Sequence, residues 1–169
     1  MKSKRLLYII IQHTMEINTR IASLSDLETL KAFEQALIEV ERPMDDSLRQ
    51  EGVIYYYDLE ELITSENSDI LVALDEDKII GCGYGLIKQH ERDIFVTTDY
   101  GYIGFMYVKD EYRGKGVGQV ILVGLNEWFK SRNMKEVRLK VYENNPKAIK
   151  AYEKAGFKKK LIEMKMNIE

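Results

Sequence analysis

Two stretches of the chain hold residue types and spacings that could do chemistry. The first is Arg113-Gly114-Lys115-Gly116-Val117-Gly118. Glycine lets a backbone turn tightly and bring its amide N–H groups close to a ligand. At the start of a helix such amides are unpaired and carry roughly half a positive charge, which suits a pyrophosphate. Arg113 and Lys115 add full charges beside them. A tight strand-to-helix connection with no ligand would use the same glycines. Two better-known phosphate loops are excluded. Gly114-Lys115-Gly116 lacks the Ser or Thr that a Walker A loop needs after its lysine. The spacing G-x-G-x-G, late in the chain, is not the G-x-G-x-x-G of a dinucleotide fold. The second stretch runs from Asn144 to Phe157. Asn145 stands where a helix cap belongs, and capping alone would explain it. Tyr152 follows two turns on, either as a core tyrosine or as a phenol able to hand over a proton.

The elements that must position these residues are legible from periodicity. Met15 to Arg20 alternates as a strand does. Ser25-Asp26-Leu27-Glu28 reads as a capping box, and Leu27, Leu30, Phe33, Leu37 and Ile38 continue at helical spacing to about Val40. Pro43 breaks the chain there. Asp58 and Glu61 mark a short capped helix ending near Ile63. Ile70–Leu74 and Lys78–Lys88 flank Asp75-Glu76-Asp77 as a hairpin, and Tyr102–Val108 is a third apolar strand. Gly116 to about Ser131 is a helix with a wide apolar face. Glu136–Tyr142 alternates as a half-buried strand. Pro146 opens a helix whose stop is Gly156. Leu161–Ile168 closes the chain as a strand. The order predicts mixed α/β (α+β) architecture with a central sheet flanked by helices.

Composition bounds the rest. The 169 residues are one domain's worth of chain, 45% apolar and 31% charged, which is ordinary for a soluble globular protein. A net charge of -3 argues against a general nucleic-acid binder. One cysteine excludes an intrachain disulfide and leaves the cytoplasm as the default compartment. With two histidines, no metal site is expected. Residues 1–14, basic then apolar over Leu6–Ile11, are too short in their apolar run for a secretory leader or a membrane span. They read as an edge strand or an extension preceding a domain over residues 15–169.

Together the two chemical stretches resemble the GNAT superfamily of N-acetyltransferases. Arg113, Gly116 and Gly118 match its Arg/Gln-x-x-Gly-x-Gly/Ala signature, which opens a helix after a strand. Asn145, Ala148, Tyr152, Gly156 and Phe157 match its second signature in order and spacing. The resemblance implies a GNAT acyl-CoA N-acyltransferase fold with a splay between its central strands. It implies acetyl-CoA as donor, an amine acceptor and direct attack in a ternary complex. It places the pyrophosphate on Arg113, Gly114, Lys115, Gly116, Val117 and Gly118, and the pantetheine arm on Met106, Tyr107 and Val108. Asn145 would contact the cofactor and Tyr152 would be the general acid. Relatives often carry a base carboxylate about where Gly104 or Phe105 stands. No acid occurs from Tyr100 to Val108, so Asp99, Glu143, a water chain or an already neutral amine remain as alternatives. Asp110, where relatives often have proline, is a further departure.

Charge is unevenly spread. Glu39 to Asp69 carries ten acids against two arginines, and Lys130 to Lys160 carries eleven bases against three acids. The basic end suits an anionic cofactor and the acidic end a cationic acceptor. Tyr55, Tyr56 and Tyr57 could offer aromatic faces to a cation. The expected partner is therefore a small-molecule amine, positively charged, with no nucleic acid or membrane involved and a homodimer left open. Solvated surface acids would give the same count. A protein N-terminal or lysine acceptor, or a sensor that binds acetyl-CoA without turnover, are the competing functions. Cys82 reads as a small core residue, and His13 and His90 as surface residues.

Overall fold

A computed structural model describes residues 16–91 and 93–168. The expected extension over residues 1–14, with His13 and Met15, lies outside them. Five strands form one sheet in the order β1-β2-β3-β4-β5. They are β1 Ile17–Ile21, β2 Ser68–Asp75, β3 Lys78–Gln89, β4 Asp99–Val108 and β5 Val137–Leu139. Neighbours are antiparallel except the parallel β4–β5 pair. That parallel pair needs a crossover, which is α3, Val117–Ser131. α1 (Leu27–Glu41) and α2 (Leu59–Thr64) cover the other face, and α4 (Pro146–Lys154) follows β5.

The sheet separates two apolar cores. Ile121, Leu125, Trp128 and Phe129 of α3 meet Leu71, Ala73, Ile80 and Ile103 on one face. Leu30 and Phe33 of α1 meet Ile70, Val72, Cys82, Tyr84 and Phe105 on the other. Residues two apart on a strand ordinarily share a face. Ile103 and Phe105 do not, because β4 carries a bulge. Tyr84 opposes Gly104 and Cys82 opposes Tyr107, so Phe105 and Met106 together stand against Gly83. Phe105 takes a left-handed φ of 50°, a conformation that a bulky side chain disfavours.

Several sequence expectations shift. The capping box is two residues early: the Ser23 amide donates to Asp26 Oδ2 at 2.8 Å, and Arg20 clamps that carboxylate from β1 at 2.7 and 2.9 Å. Glu28 instead pairs with Lys31 along α1. The strand expected over Glu136–Tyr142 is only three residues long. The closing strand over Leu161–Ile168 does not form. The segment lies exposed, with Leu161 at 89% and Met164 at 90%, tied by Lys160 to Glu136 at 2.6 Å and by Lys165 to Asp46. Alternation fits a segment for a sheet, but a strand also needs an edge to pair with, and β5 stops at Leu139. His90 is not simply a surface residue: its ring stacks on Phe95 at 3.9 Å and its Nε2 is buried. Cys82 is fully buried as expected, and burial pushes its thiol far up.

Candidate active site

The site begins where β4 and β5 part. They pair only from Gly101–Ile103 to Val137–Leu139. Beyond Ile103, the β5-facing edge of Gly104–Val108 has no strand beside it. A peptide-like arm can take up such N–H and C=O groups. Met106, Tyr107 and Val108 lie on this unpaired edge. The bulge adds an unpaired backbone unit within it, at the height where Phe105 is strained.

The glycine-rich loop lies beyond the end of β4. Gly114 and Gly116 hold φ of +75° and +89°, and a Cβ at either would meet nothing within 4 Å. Gly116 is the left-handed residue just before α3, so the first amides of that helix are left open. Among the described residues, the amides of Gly114, Lys115 and Gly116 donate to no backbone acceptor. Val117 is buried and anchors the loop in the core. Arg113 has a structural task as well: its Nε donates to the Val108 carbonyl at 3.1 Å and its guanidinium pairs with Asp110 at 2.8 Å. Lys115 is exposed, 5.4 Å over the Tyr112 ring. This open cradle of amides fits a diphosphate.

Across the gap stands α4. Asn145 caps it, with Oδ1 accepting from the Ala148 amide at 3.2 Å. The cap leaves the Asn145 Nδ2 group as the part available to a ligand. Tyr152 is half-buried against the α3-side core and meets Phe157 edge-on at 6.1 Å. Burial, chiefly, pushes its phenol up to about 12, so it keeps its proton at neutral pH.

A cluster of phenols lies on the α1 side of the sheet. Glu34, fully buried on α1, accepts from the Tyr56 and Tyr57 amides at 2.7 and 2.9 Å. That clamp sets the Tyr57 ring on Phe105 at 5.2 Å and edge-on to Tyr84 at 5.4 Å. Tyr102 continues the cluster, 6.3 Å from Tyr84. Tyr142 closes it, its hydroxyl 3.2 Å from Asp45 Oδ2. Of the three consecutive tyrosines, Tyr55 is 71% exposed and stands outside the cluster. Burial raises Tyr57, Tyr84, Tyr102 and Tyr142 and takes Tyr56 to about 12. Tyr84, Tyr102, Tyr142 and Glu41 were not singled out from the sequence. Tyr84 on β3 and Tyr100 and Tyr102, two apart on β4, were a usable signal; Glu41 had none beyond its place in the acidic stretch. Asp99 and Glu143 fare poorly as bases. Asp99 opens β4, five residues or about 17 Å from Gly104, and Glu143 is exposed.

A five-stranded mixed sheet, a gap after its parallel pair, an open amide loop and a half-buried phenol are the features that the GNAT resemblance implies. The model of the Acetyltransferase (GNAT) family matches residues 33–157. The chain belongs to that family. It is similar to N-alpha-acetyltransferase 30 of Schizosaccharomyces pombe, 33% identical over 86 residues, 51% of this chain and 55% of the relative. The chain thus spans about half the length of that relative. Among solved structures it resembles a mutant BH1408 protein of Bacillus halodurans, at TM-score 0.81 and 20% identity, over 90% of this chain and 99% of the other. It also resembles a protein of Clostridium acetobutylicum described as a predicted acetyltransferase with acetyl-CoA, at TM-score 0.68 and 19% identity, over 90% and 96%. Among the described residues, no helix is long and apolar enough to cross a membrane, and no group of three ligating side chains could hold a metal ion.

Proposed function

We propose that the protein moves acetyl from acetyl-CoA to a primary amine of a positively charged small molecule, by direct attack with both substrates bound. The observation that carries this is the pairing of two surfaces across one gap. On one side are the open amides of Gly114–Gly116 and the first turn of α3. On the other are the acids and phenols gathered by the end of α1. Acetyl-CoA supplies the thioester. Arg113 to Gly118 hold its diphosphate, the free edge of Met106–Val108 receives its pantetheine arm, and the Asn145 amide adds a contact. Backbone donors at the β4 bulge face the charge that develops on the carbonyl oxygen. Tyr152 donates the proton that the leaving sulfur needs.

The acceptor side supports a cation. Glu41, Asp45 and aromatic rings border it, and a ring face attracts an ammonium group. A protein N-terminal amine is the second reading, favoured by the likeness to an N-alpha-acetyltransferase. A panel of polyamines, aminoglycosides, short peptides with free N-termini, and neutral and acidic amines tests the reading by thiol release. Turnover with the polycations supports it. Turnover with peptides alone moves the acceptor to proteins. Binding of acetyl-CoA with no thiol release from any amine makes the protein a sensor.

A further inference from the structure

The transfer proposed above needs a group to take the proton of the acceptor amine, and β4 is closed to one. A Cβ at Gly104 would stand 2.5 Å from Cζ and Oη of Tyr84. A carboxylate there would have to evict that ring. Phe105 is 2% exposed and turned into the α1-side core. The base must therefore reach the gap from another element.

Glu41 is the last residue of α1 and is half-buried. Two bonds fasten the chain just after it to the connection between β5 and α4. The Tyr142 hydroxyl meets Asp45 Oδ2 at 3.2 Å, and Asn144 Nδ2 donates to the Met44 carbonyl at 3.4 Å. They hold the turn just after α1 against the segment that continues β5 beyond its last pairing with β4. The Tyr56 hydroxyl is buried there with no hydrogen-bond partner among the described residues; Glu41 lies near enough to couple with it.

We propose that the Glu41 carboxylate is the catalytic base, pairing with the acceptor's ammonium group and taking its proton. This rests on the acetyl-transfer reading. The nitrogen loses two protons in all. Glu41 takes the first, and the freed lone pair forms the C–N bond. The C–S bond breaks as the second proton leaves to solvent, and Tyr152 protonates the sulfur. Solvent then reprotonates Tyr152 and removes the proton from Glu41. The products are the N-acetyl amine, the free thiol and one proton.

The titratable and charged groups around this helix end come from several elements. Asp45 and Arg42 flank it, Tyr56 and Tyr57 precede α2, Tyr102 lies on β4, Tyr142 follows β5 and Tyr152 lies on α4. Burial raises Glu41 above the usual carboxylate range, Asp45 adds to this, and Tyr56 opposes it. A base works deprotonated, so turnover rises with pH through a limb above that range.

The test is the kcat–pH profile of wild type, Glu41→Gln and Glu41→Asp with a reactive polyamine, with acetyl-CoA affinity measured by calorimetry. The expected Glu41→Gln enzyme keeps its acetyl-CoA affinity, loses the rising acidic limb and falls about 10²–10⁴-fold in kcat. Glu41→Asp recovers part of the rate, and an acceptor amine already neutral at the assay pH recovers more. A Glu41→Gln enzyme within threefold of wild type, with its limb intact, overturns the proposal. So does a wild-type profile without an acidic limb, should the variant not fold. Wild type that binds acetyl-CoA but releases no thiol with any amine removes the transfer reading itself, and the base with it.

Discussion

The ring of Tyr152 and its hydroxyl have separate uses. The ring fills the α3-side core beside Phe157, so a phenylalanine would keep the fold. The hydroxyl, held protonated by burial, has no structural bond among those that tie the helix, and proton donation is the task proposed for it. We expect Tyr152→Phe to retain acetyl-CoA affinity and thermal stability while kcat drops about 10²–10⁴-fold. Steady-state kinetics with calorimetry checks this; an unchanged kcat would take Tyr152 out of the chemistry. Cys82 shows the opposite case. Its thiol points at the Phe105 carbonyl at 3.8 Å inside the core, where a thiolate is strongly disfavoured, so it packs and does not react.

At the scale of elements, the junction of loop and α3 separates glycines required by the backbone from one whose proposed use is to admit a ligand. Gly116 needs its left-handed φ. Gly118 does not: it lies inside α3, and a Cβ there would meet only Val108 Cγ2 at 3.9 Å. An added methyl group would cost the fold nothing and, by the general helix preference for alanine, would gain up to about 1 kcal/mol. It would stand, however, where a diphosphate approaches the first helical amides. Gly118→Ala is therefore expected to hold or raise Tm while raising the acetyl-CoA KM at least tenfold. A KM unchanged in a folded variant would show that the cradle lies elsewhere. This junction was legible in the sequence because positive φ and helix caps are local demands, written in Gly116, Asn145 and Pro146 themselves. The bulge at Phe105 was not, since it depends on how β4 registers with Cys82 and Tyr84 more than twenty positions earlier. Nor was the hold of the turn after α1 on the segment beyond β5, which hangs on Tyr142 and Asp45, 97 positions apart. The closing segment misled for a related reason. Ile162, Met164, Met166 and Ile168 alternate as a strand does, but no described edge receives them.

Over the whole molecule, charge is sorted by position as well as by sequence. The acidic stretch is not all free surface: Asp45 is held by Tyr142, Asp46 by Lys165, and Asp69 by Trp128 and Arg132. Of the rest, Glu41 stands at the end of α1, while Glu51, Glu60, Glu61 and Glu66 lie on the loop before α2, on α2 and just after it. The basic stretch runs through β5 and α4, on the side from which an anionic donor would enter. Such fields act at long range only when salt is low, since the Debye length falls from about 30 Å at 0.01 M to about 10 Å at 0.1 M. If the sorting steers substrates, kcat/KM for a polyamine should fall several-fold between 0.01 and 0.3 M salt at saturating acetyl-CoA. The value for an uncharged amine should hold within about twofold. Each acceptor reports the same chemistry on the same enzyme, so their ratio isolates the field from any effect of salt on the fold. Equal slopes for both would mean that the acids near Glu41 act at contact alone and that the remaining acidic side chains merely solvate the surface.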